Sequence, residues 1–349
     1  MTEANLSAQL ERARGEYLFS GYQLFVESPE RTLLLSGGVT SYWNGHPVSD
    51  TSYFDLGSVT KAVGTTSCVA VLVERGELAL TDTVAQFIPA FTDSPVGRVV
   101  LGELLSHSSG LKAWLPLYES GPGLNALGWI TANTDSCWGS LPRQTALYSD
   151  LGFILLGECL RARYGALEDL MARLVFEPLG VSDVRFGPIS DSGSVVATEF
   201  CIERRKVCHG TVFDHNCESL GGRTGHAGLF GTAAGVGRIA REWLRAVHGR
   251  SEWLNQTTAR LFTTPCGFVE GSTWGFGWDS PSREFSSAGK LFSRRSFGHL
   301  GFPGTSLWVD PDKSLVSVLL TNRIHPSRFD ERIKRFRPLI HDEVYRCTR

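Results

Sequence analysis

The chain reads as an α/β (α+β) protein. One antiparallel sheet is built from the N- and C-terminal segments and flanked by helices, and a mostly helical region is inserted between them. Strand-like segments cluster at the two ends of the 349-residue chain. Helical patterning broken by Pro and Gly fills the middle. Strands at both ends with helices between them close into one sheet only if the termini pair. No internal repeat and no low-complexity linker divides the chain.

Residues 5–14 predict a short polar helix. Residues 17–27 and 31–42 predict two strands, with Ser28-Pro29-Glu30 as the turn between them. A helix is expected from Ser58 to about Arg75, stopping at Gly76. The stretch from about Leu80 to Leu229 reads as helix and loop, with Gly121-Pro122-Gly123 as a loop. Within it, a helix over 149–164 points Leu151, Ile154, Leu155 and Leu156 to the core. Another helix covers 232–247. Strands follow at 274–278, 293–298, 304–309 and 315–321, and a basic amphipathic helix over 330–345 closes the chain. This places residues 1–80 and 270–349 in the sheet domain and 81–269 in the inserted region.

A hydrophobic fraction of 42% and a charged fraction of 20% are those of an ordinary globular protein with ample core. A net charge of −2 gives no reason to expect nucleic acid or an anionic membrane surface as partner. The N-terminus shows no basic and apolar leader, and no apolar run approaches membrane-spanning length. The expected location is cytoplasmic, where thiols stay reduced, so the cysteines are read as free. Cys68 and Cys159 read as core residues. Cys201, Cys208 and Cys217, with His209 and His215 between them, resemble a ligand set. Their spacing matches no standard zinc pattern, and neither metal nor cofactor is expected.

The chemistry centres on Phe54-Asp55-Leu56-Gly57-Ser58-Val59-Thr60-Lys61. Ser58 and Lys61 are three apart, so a helix sets them on one face. A serine hydroxyl needs a base beside it to act as a nucleophile. Lysine can be that base if burial or nearby positive charge lowers its pKa. Two further stretches share the signal: Tyr148-Ser149-Asp150, ahead of an amphipathic helix, and His299-Leu300-Gly301-Phe302, at the end of a strand.

S-x-x-K, then Y-S-D, then H-L-G, in that order and widely separated, resemble the signature of serine β-lactamases and penicillin-binding proteins. The chain is similar to the class C β-lactamase and esterase branch of that superfamily over nearly its whole length. Leu104-Leu105-Ser106-His107-Ser108-Ser109-Gly110-Leu111, Trp274-Gly275-Phe276-Gly277-Trp278, Gly225-His226-Ala227-Gly228-Leu229-Phe230 and Leu320-Thr321-Asn322-Arg323 also have family counterparts. The resemblance implies a β-lactamase/transpeptidase-like fold. It also implies a serine hydrolase in which Ser58 is acylated and Lys61 and Tyr148 share the proton work. The backbone N–H groups of Ser58 and Phe302 would bind the oxyanion, and Gly301 would admit the substrate closely.

Asp150 stands where the class C pattern has asparagine. It would hold Lys61 by charge or cap the following helix. His299 and Leu300 replace the lysine and threonine of the third motif. Taken alone, Tyr148 reads as a core tyrosine bonding a carbonyl rather than a catalytic group, and Trp274 and Trp278 as core residues rather than a substrate platform. The run Arg332-Ile333-Lys334-Arg335-Phe336-Arg337 reads as a solvated helix face. Gly210-Thr211-Val212-Phe213-Asp214-His215-Asn216, followed by Leu220-Gly221-Gly222, is similar to a pattern in a branch with muramyl-L-alanine amidases and penicillin-binding-protein-like esterases. Alternatively, Asp214 and Asn216 only hold a turn. Asn322 and Arg323 are candidates for binding a substrate carboxylate or acetamido group.

The expected function is hydrolysis of a small-molecule ester, amide or muropeptide-like substrate. A true β-lactamase or D,D-carboxypeptidase is the alternative within enzymes. A catalytically silent ligand-binding sensor is the alternative outside them. The sequence leaves the oligomeric state open.

Overall fold

The computed structural model describes residues 3–43, 45–120, 126–191 and 193–348. Its strands are β1 (Gly21–Glu27), β2 (Thr32–Gly38), β3 (Phe54–Asp55), β4 (Val184–Phe186), β5 (Glu199–Cys201), β6 (Lys206–Cys208), β7 (Leu229–Gly231), β8 (Phe297–Leu300), β9 (Ser306–Asp310) and β10 (Leu315–Thr321). Among the described residues the main sheet has five antiparallel strands in the order β2-β1-β10-β9-β8. The termini meet at its centre, where Tyr22 pairs with Thr321 and Leu24 with Leu319. The predicted sheet, built from both ends of the chain, is the one observed.

β1 and β10 are buried along almost their whole length because both sheet faces are covered. Successive side chains point to opposite faces. Leu24 and Val26 join Leu6, Leu10, Ile340 and Val344 from the terminal helices Glu3–Gly15 and Ile333–Cys347. Phe25, between them, joins Val236, Ile239 and Ala240 of helix Ala233–Val247 on the other face. Gly237 lets that helix close on the sheet, since a Cβ there would stand 2.4 Å from the Phe25 ring.

The helix after Ser58 differs from the expected single α-helix. Lys61–Thr66 form a π-helical turn and Ser67–Glu74 an α-helix, with Gly76 in the left-handed region at φ +69°. The π turn is the widened form found often at functional sites. Helix Asp150–Tyr164 starts one residue from its expected position and carries Leu151, Ile154, Leu155 and Leu156 into the core.

The strand expected at 274–278 is absent. Gly277 has φ +81°, and a Cβ there would lie 1.9 Å from Thr66 Oγ1, so the segment is a turn seated on the helix after Ser58. One bridge from Trp274 to Asp279 remains. β2 stops at Gly38 (φ +84°), and β9 starts only after Gly304 (φ +108°), where left-handed backbone ends the ladder. The short strands β4 to β7 lack enough period-2 pattern to be seen in the sequence. The expected loop at Gly121-Pro122-Gly123 lies outside the described residues. No helix among the described residues is long and apolar enough to cross a membrane.

Candidate active site

The turn into the serine helix is fixed by Asp55. Its carboxylate accepts from Gly57 N–H (2.9 Å) and from Phe213 N–H (3.0 Å). Burial pushes the Asp55 carboxyl up to about 7, although both backbone donors oppose the shift. Gly57 has φ +52°, and a Cβ on it would meet Pro303 Cδ at 2.6 Å and lie 3.5 Å from Phe302 N. The glycine therefore lets the 301–305 turn close over the start of the helix. β3 pairs with β7, so residues 225–231 run beside the same turn.

Lys61 is fully buried, and its Nζ donates to Asp150 Oδ1 (2.6 Å), Ser58 Oγ (2.9 Å) and His226 O (3.2 Å). An ammonium has three donors, and here each has an acceptor. Burial pushes the Lys61 pKa down, but Asp150 and then Tyr148 reverse this and leave it above the ordinary lysine value. Lys61 is thus a cation at rest, not the lowered-pKa amine that a lysine base requires. Asp150 holds Lys61 by charge. The cap of the following helix is Ser149, whose Oγ accepts from Gly152 N–H at 3.0 Å. The expected ambiguity at Asp150 is resolved in favour of the ion pair.

The Tyr148 ring lies 4.9 Å from Lys61 Nζ. Burial raises its phenol pKa, while the Lys61 charge and hydrogen bonding to Lys61 and Ser58 pull the other way. Around it pack His107 (centroids 4.6 Å), Trp274 (5.6 Å) and His299 (6.0 Å). Trp274 lines the cleft, whereas Trp278 is wholly buried against Trp243 and Phe297.

The two histidines carry opposite tautomers. His107 Nδ1 accepts from Ser149 N–H (3.1 Å), which leaves its proton on Nε2. His299 Nδ1 donates to Leu300 O (2.8 Å), which leaves its Nε2 as an acceptor. Both Nε2 atoms are buried without a partner among the described residues. Burial and then the Lys61 charge lower both pKa values, that of His299 to about 3, so both rings are neutral at physiological pH.

Gly301 is at the closest approach on the opposite wall. A Cβ there would meet Thr305 Oγ1 at 1.9 Å and Leu56 O at 2.6 Å. Arg337, expected on a solvated face, is buried instead. Its Nη2 donates to Gly301 O (2.6 Å) and Thr305 O (2.8 Å), and so ties down the turn bearing Phe302. Lys334 and Arg332 of the same run do stay exposed, paired with Glu331 and Asp330. Among the described residues neither Ser58 N–H nor Phe302 N–H has a protein acceptor.

Arg323 lies on the Phe302 ring (4.4 Å to the centroid) and donates Nε to Phe302 O (2.8 Å) and Nη1 to Arg328 O and Asp330 O. Among the described residues its Nη2 has no hydrogen-bond partner. The expectation that Asn322 faces the cleft is corrected. Its Oδ1 accepts from Ser20 and Gly21 N–H and its amide donates to Ser20 Oγ and Ala197 O, so all its capacity ties the start of β1 and the segment before β5 to the loop after β10. Asn216 likewise holds a loop, through Tyr118 N–H and Leu115 O.

Asp214 accepts from His226 Nε2 (3.0 Å) and caps the short helix His215–Ser219 through Cys217 N–H. Burial raises its pKa, but His226 and Lys61 bring it down to about 2. An Asp214–His226 pair therefore supports the carbonyl that Lys61 donates to. His107, His226 and Arg337 carried no role in the sequence reading. The first two lie inside the family-like stretches quoted above, which was the available signal.

Ser58, Tyr148, Asp150, Trp274 and His299 line a cavity of about 380 Å³. Ser58, Phe302, Asp214 and His215 line a second of about 290 Å³ on the other side. Residues 8–341 match the family model described as Beta-lactamase.

The chain belongs to the β-lactamase family.

It is 28% identical over 306 residues to a "Putative D-alanyl-D-alanine carboxypeptidase" of Escherichia coli K12, covering 78% of this chain and 69% of that one. The counterpart in E. coli O157:H7 is 26% identical, covering 91% and 82%. Among solved structures, "EstCE1, a hydrolase with promiscuous acyltransferase activity" superposes with a TM-score of 0.78 at 22% identity, covering 97% of each chain. A class C β-lactamase superposes with a TM-score of 0.73 at 14% identity, covering 99% of each. The octameric penicillin-binding protein homologue from Pyrococcus abyssi gives 0.75 at 18%, covering 97% of this chain and 77% of that one. These superpositions establish the β-lactamase fold. As a member of this family, the protein is a serine hydrolase.

Proposed function

We propose that the protein cleaves an ester or amide bond through an acyl intermediate on Ser58. The observation that carries this is the buried Lys61 ammonium, 2.9 Å from Ser58 Oγ and beside the Tyr148 phenol. Because Lys61 is already protonated, Tyr148 takes the proton from Ser58 as its Oγ attacks the carbonyl carbon. The Lys61 charge, by opposing the burial that raises the Tyr148 pKa, supports the phenolate form that accepts this proton; Tyr148 is then a phenol until it protonates the leaving group, and the pair titrates together. The carbonyl oxygen becomes an oxyanion between Ser58 N–H and Phe302 N–H. Collapse expels the alcohol or amine, which receives the proton from Tyr148. Water, deprotonated by the same group, then hydrolyses the acyl-enzyme.

The reading favours small esters or cell-wall-derived muramyl and peptide fragments. A buried, neutral His299 supplies no fixed charge at the third motif, where penicillin-binding relatives carry lysine. The names of the curated relatives favour a second reading, a D,D-carboxypeptidase. Eight free cysteines fit a reducing compartment, hence the cytoplasm. A panel of neutral aryl esters, a chromogenic cephalosporin, a D-Ala-D-Ala peptide and a muramyl-amino-acid separates the readings. Turnover of esters or the muramyl compound above both others is expected. Fastest turnover of the D-Ala-D-Ala peptide would establish the second reading, and binding without any turnover would mark a silent sensor.

A further inference from the structure

The hairpin β5–β6 and the helix His215–Ser219 bring together three groups from 201 to 215 that the chemistry at Ser58 does not use. Cys201 Sγ lies 3.2 Å from His215 Nε2 and 3.4 Å from Glu203 Oε2, and all three ligand atoms fall within 4.8 Å of one another. Ligands about 2.0–2.3 Å from a tetrahedral zinc stand about 3.5 Å apart, so little movement is needed to bind one. A sulfur, nitrogen and oxygen set suits zinc and is a poor match for magnesium or calcium.

The sulfur is oriented from behind. Cys201 Sγ accepts from Arg204 N–H (3.4 Å) and Arg204 Nε–H (3.1 Å), the outer-layer support typical of metal-bound sulfur. Arg204 is anchored in turn by Phe213 O (2.6 Å) and an ion pair with Glu218. The other members of the expected ligand set have partners of their own, and Cys208 Sγ accepts from Arg204 Nη2 at 3.1 Å. Cys217 is bonded to Ala227 O and Thr224, and His209 to Val195 O. Glu203 and His215 line the 290 Å³ cavity that also contains Ser58 and Phe302. Three protein ligands on one side and a cleft on the other describe a site with an open position.

We propose that Cys201, Glu203 and His215 bind zinc, and that its open position faces the Ser58 cleft and receives a carboxylate of the substrate. The substrate part rests on the acyl-Ser58 reading; the metal part does not. Zinc would provide the positive charge that His299 lacks, and it would take no part in the acyl chemistry itself.

The test uses the full chain, treated with a chelator, dialysed and titrated with zinc, and in parallel with cobalt. One zinc per chain and a thiolate-to-cobalt charge-transfer band are expected. Cys201→Ser should abolish the band, and Glu203→Gln and His215→Ala should weaken zinc binding about tenfold or more, with thermal unfolding confirming that each variant is folded. Zinc should lower KM about tenfold for an ester carrying a carboxylate and leave KM for a neutral ester unchanged. No zinc uptake, or uptake unaffected by Cys201→Ser, overturns the site. Zinc binding with no change in KM for the carboxylate ester overturns its role in substrate binding. Ser58→Ala should bind zinc like the parent even though it hydrolyses nothing, which separates failure of the metal site from failure of the acyl-enzyme.

Discussion

Lys61 Nζ stands closer to Asp150 Oδ1, at 2.6 Å, than to Ser58 Oγ at 2.9 Å. The ion pair favours the protonated form of Lys61, which in the proposed mechanism leaves proton removal to Tyr148. Asp150→Asn removes that negative charge, so the Lys61 pKa should fall. If Lys61 acts as the ammonium, the alkaline limb of the kcat/KM–pH profile for a neutral ester moves to lower pH by about 1 unit or more. Movement of the acid limb instead, with the alkaline limb fixed, would identify Lys61 as the base.

Arg337 secures the wall that carries Phe302 N–H. Arg337→Met removes a buried charged donor from the carbonyls of Gly301 and Thr305, which keep their backbone bonds from Gly304 N–H and Gly301 N–H. Stability in urea should fall by about 2–4 kcal/mol. The kcat should fall about tenfold or more with KM little changed, because the proposed oxyanion donor, Phe302 N–H, would act in the transition state. A loss of stability with kcat intact would reduce Arg337 to a packing residue.

Asn322 has no capacity left for a ligand. Asn322→Ala should cost about 2–4 kcal/mol by leaving the N–H groups of Ser20 and Gly21 and the carbonyl of Ala197 unpaired. KM should stay at the parent value in variant protein held at a temperature where it is folded. A large rise in KM without destabilisation would return Asn322 to the substrate site.

Acid should destabilise the fold from about pH 6.5 downwards. Burial holds His107 well below its usual value, His299 and His341 near 3, and His325 near 4, so each favours the neutral ring when folded. Their contribution is present above the unfolded pKa and is lost as pH falls towards the folded values. Asp55 works in the opposite sense: with its carboxyl raised to about 7, its contribution is present below the unfolded pKa and is lost as pH rises towards 7. Near pH 5 the buried histidines take up protons on unfolding and the raised carboxyl of Asp55 releases one, so stability falls with falling pH where the histidines outnumber it. Urea midpoints measured from pH 7 to 4 should fall steeply; a flat series contradicts burial of these rings.

The sheet was legible because its strands are long, apolar and placed at both termini. Ser58 and Lys61 were legible because a three-residue spacing survives any helical form, including the π turn that replaced the expected α-helix. Tyr148, Asp150 and Phe302 came through their motifs. Arg337 was hidden because a basic run on an amphipathic helix looks solvated until a turn from residues 301–305 packs over one of its members. The tautomers of His107 and His299 depend on the Ser149 amide and the Leu300 carbonyl, partners whose geometry no local pattern encodes. Asn322 was misplaced because a polar residue at the end of a strand has the same signature whether it meets substrate or the backbone of residues 20 and 21.

In the proposed mechanism Ser58 alone is acylated. Intact-mass and peptide mass spectrometry after treatment with a fluorophosphonate tests it most directly. One adduct per chain on the peptide containing Ser58, absent in Ser58→Ala and slowed in Tyr148→Phe, is the predicted result. Full labelling of Ser58→Ala, or an adduct on another residue of the parent protein, would contradict it.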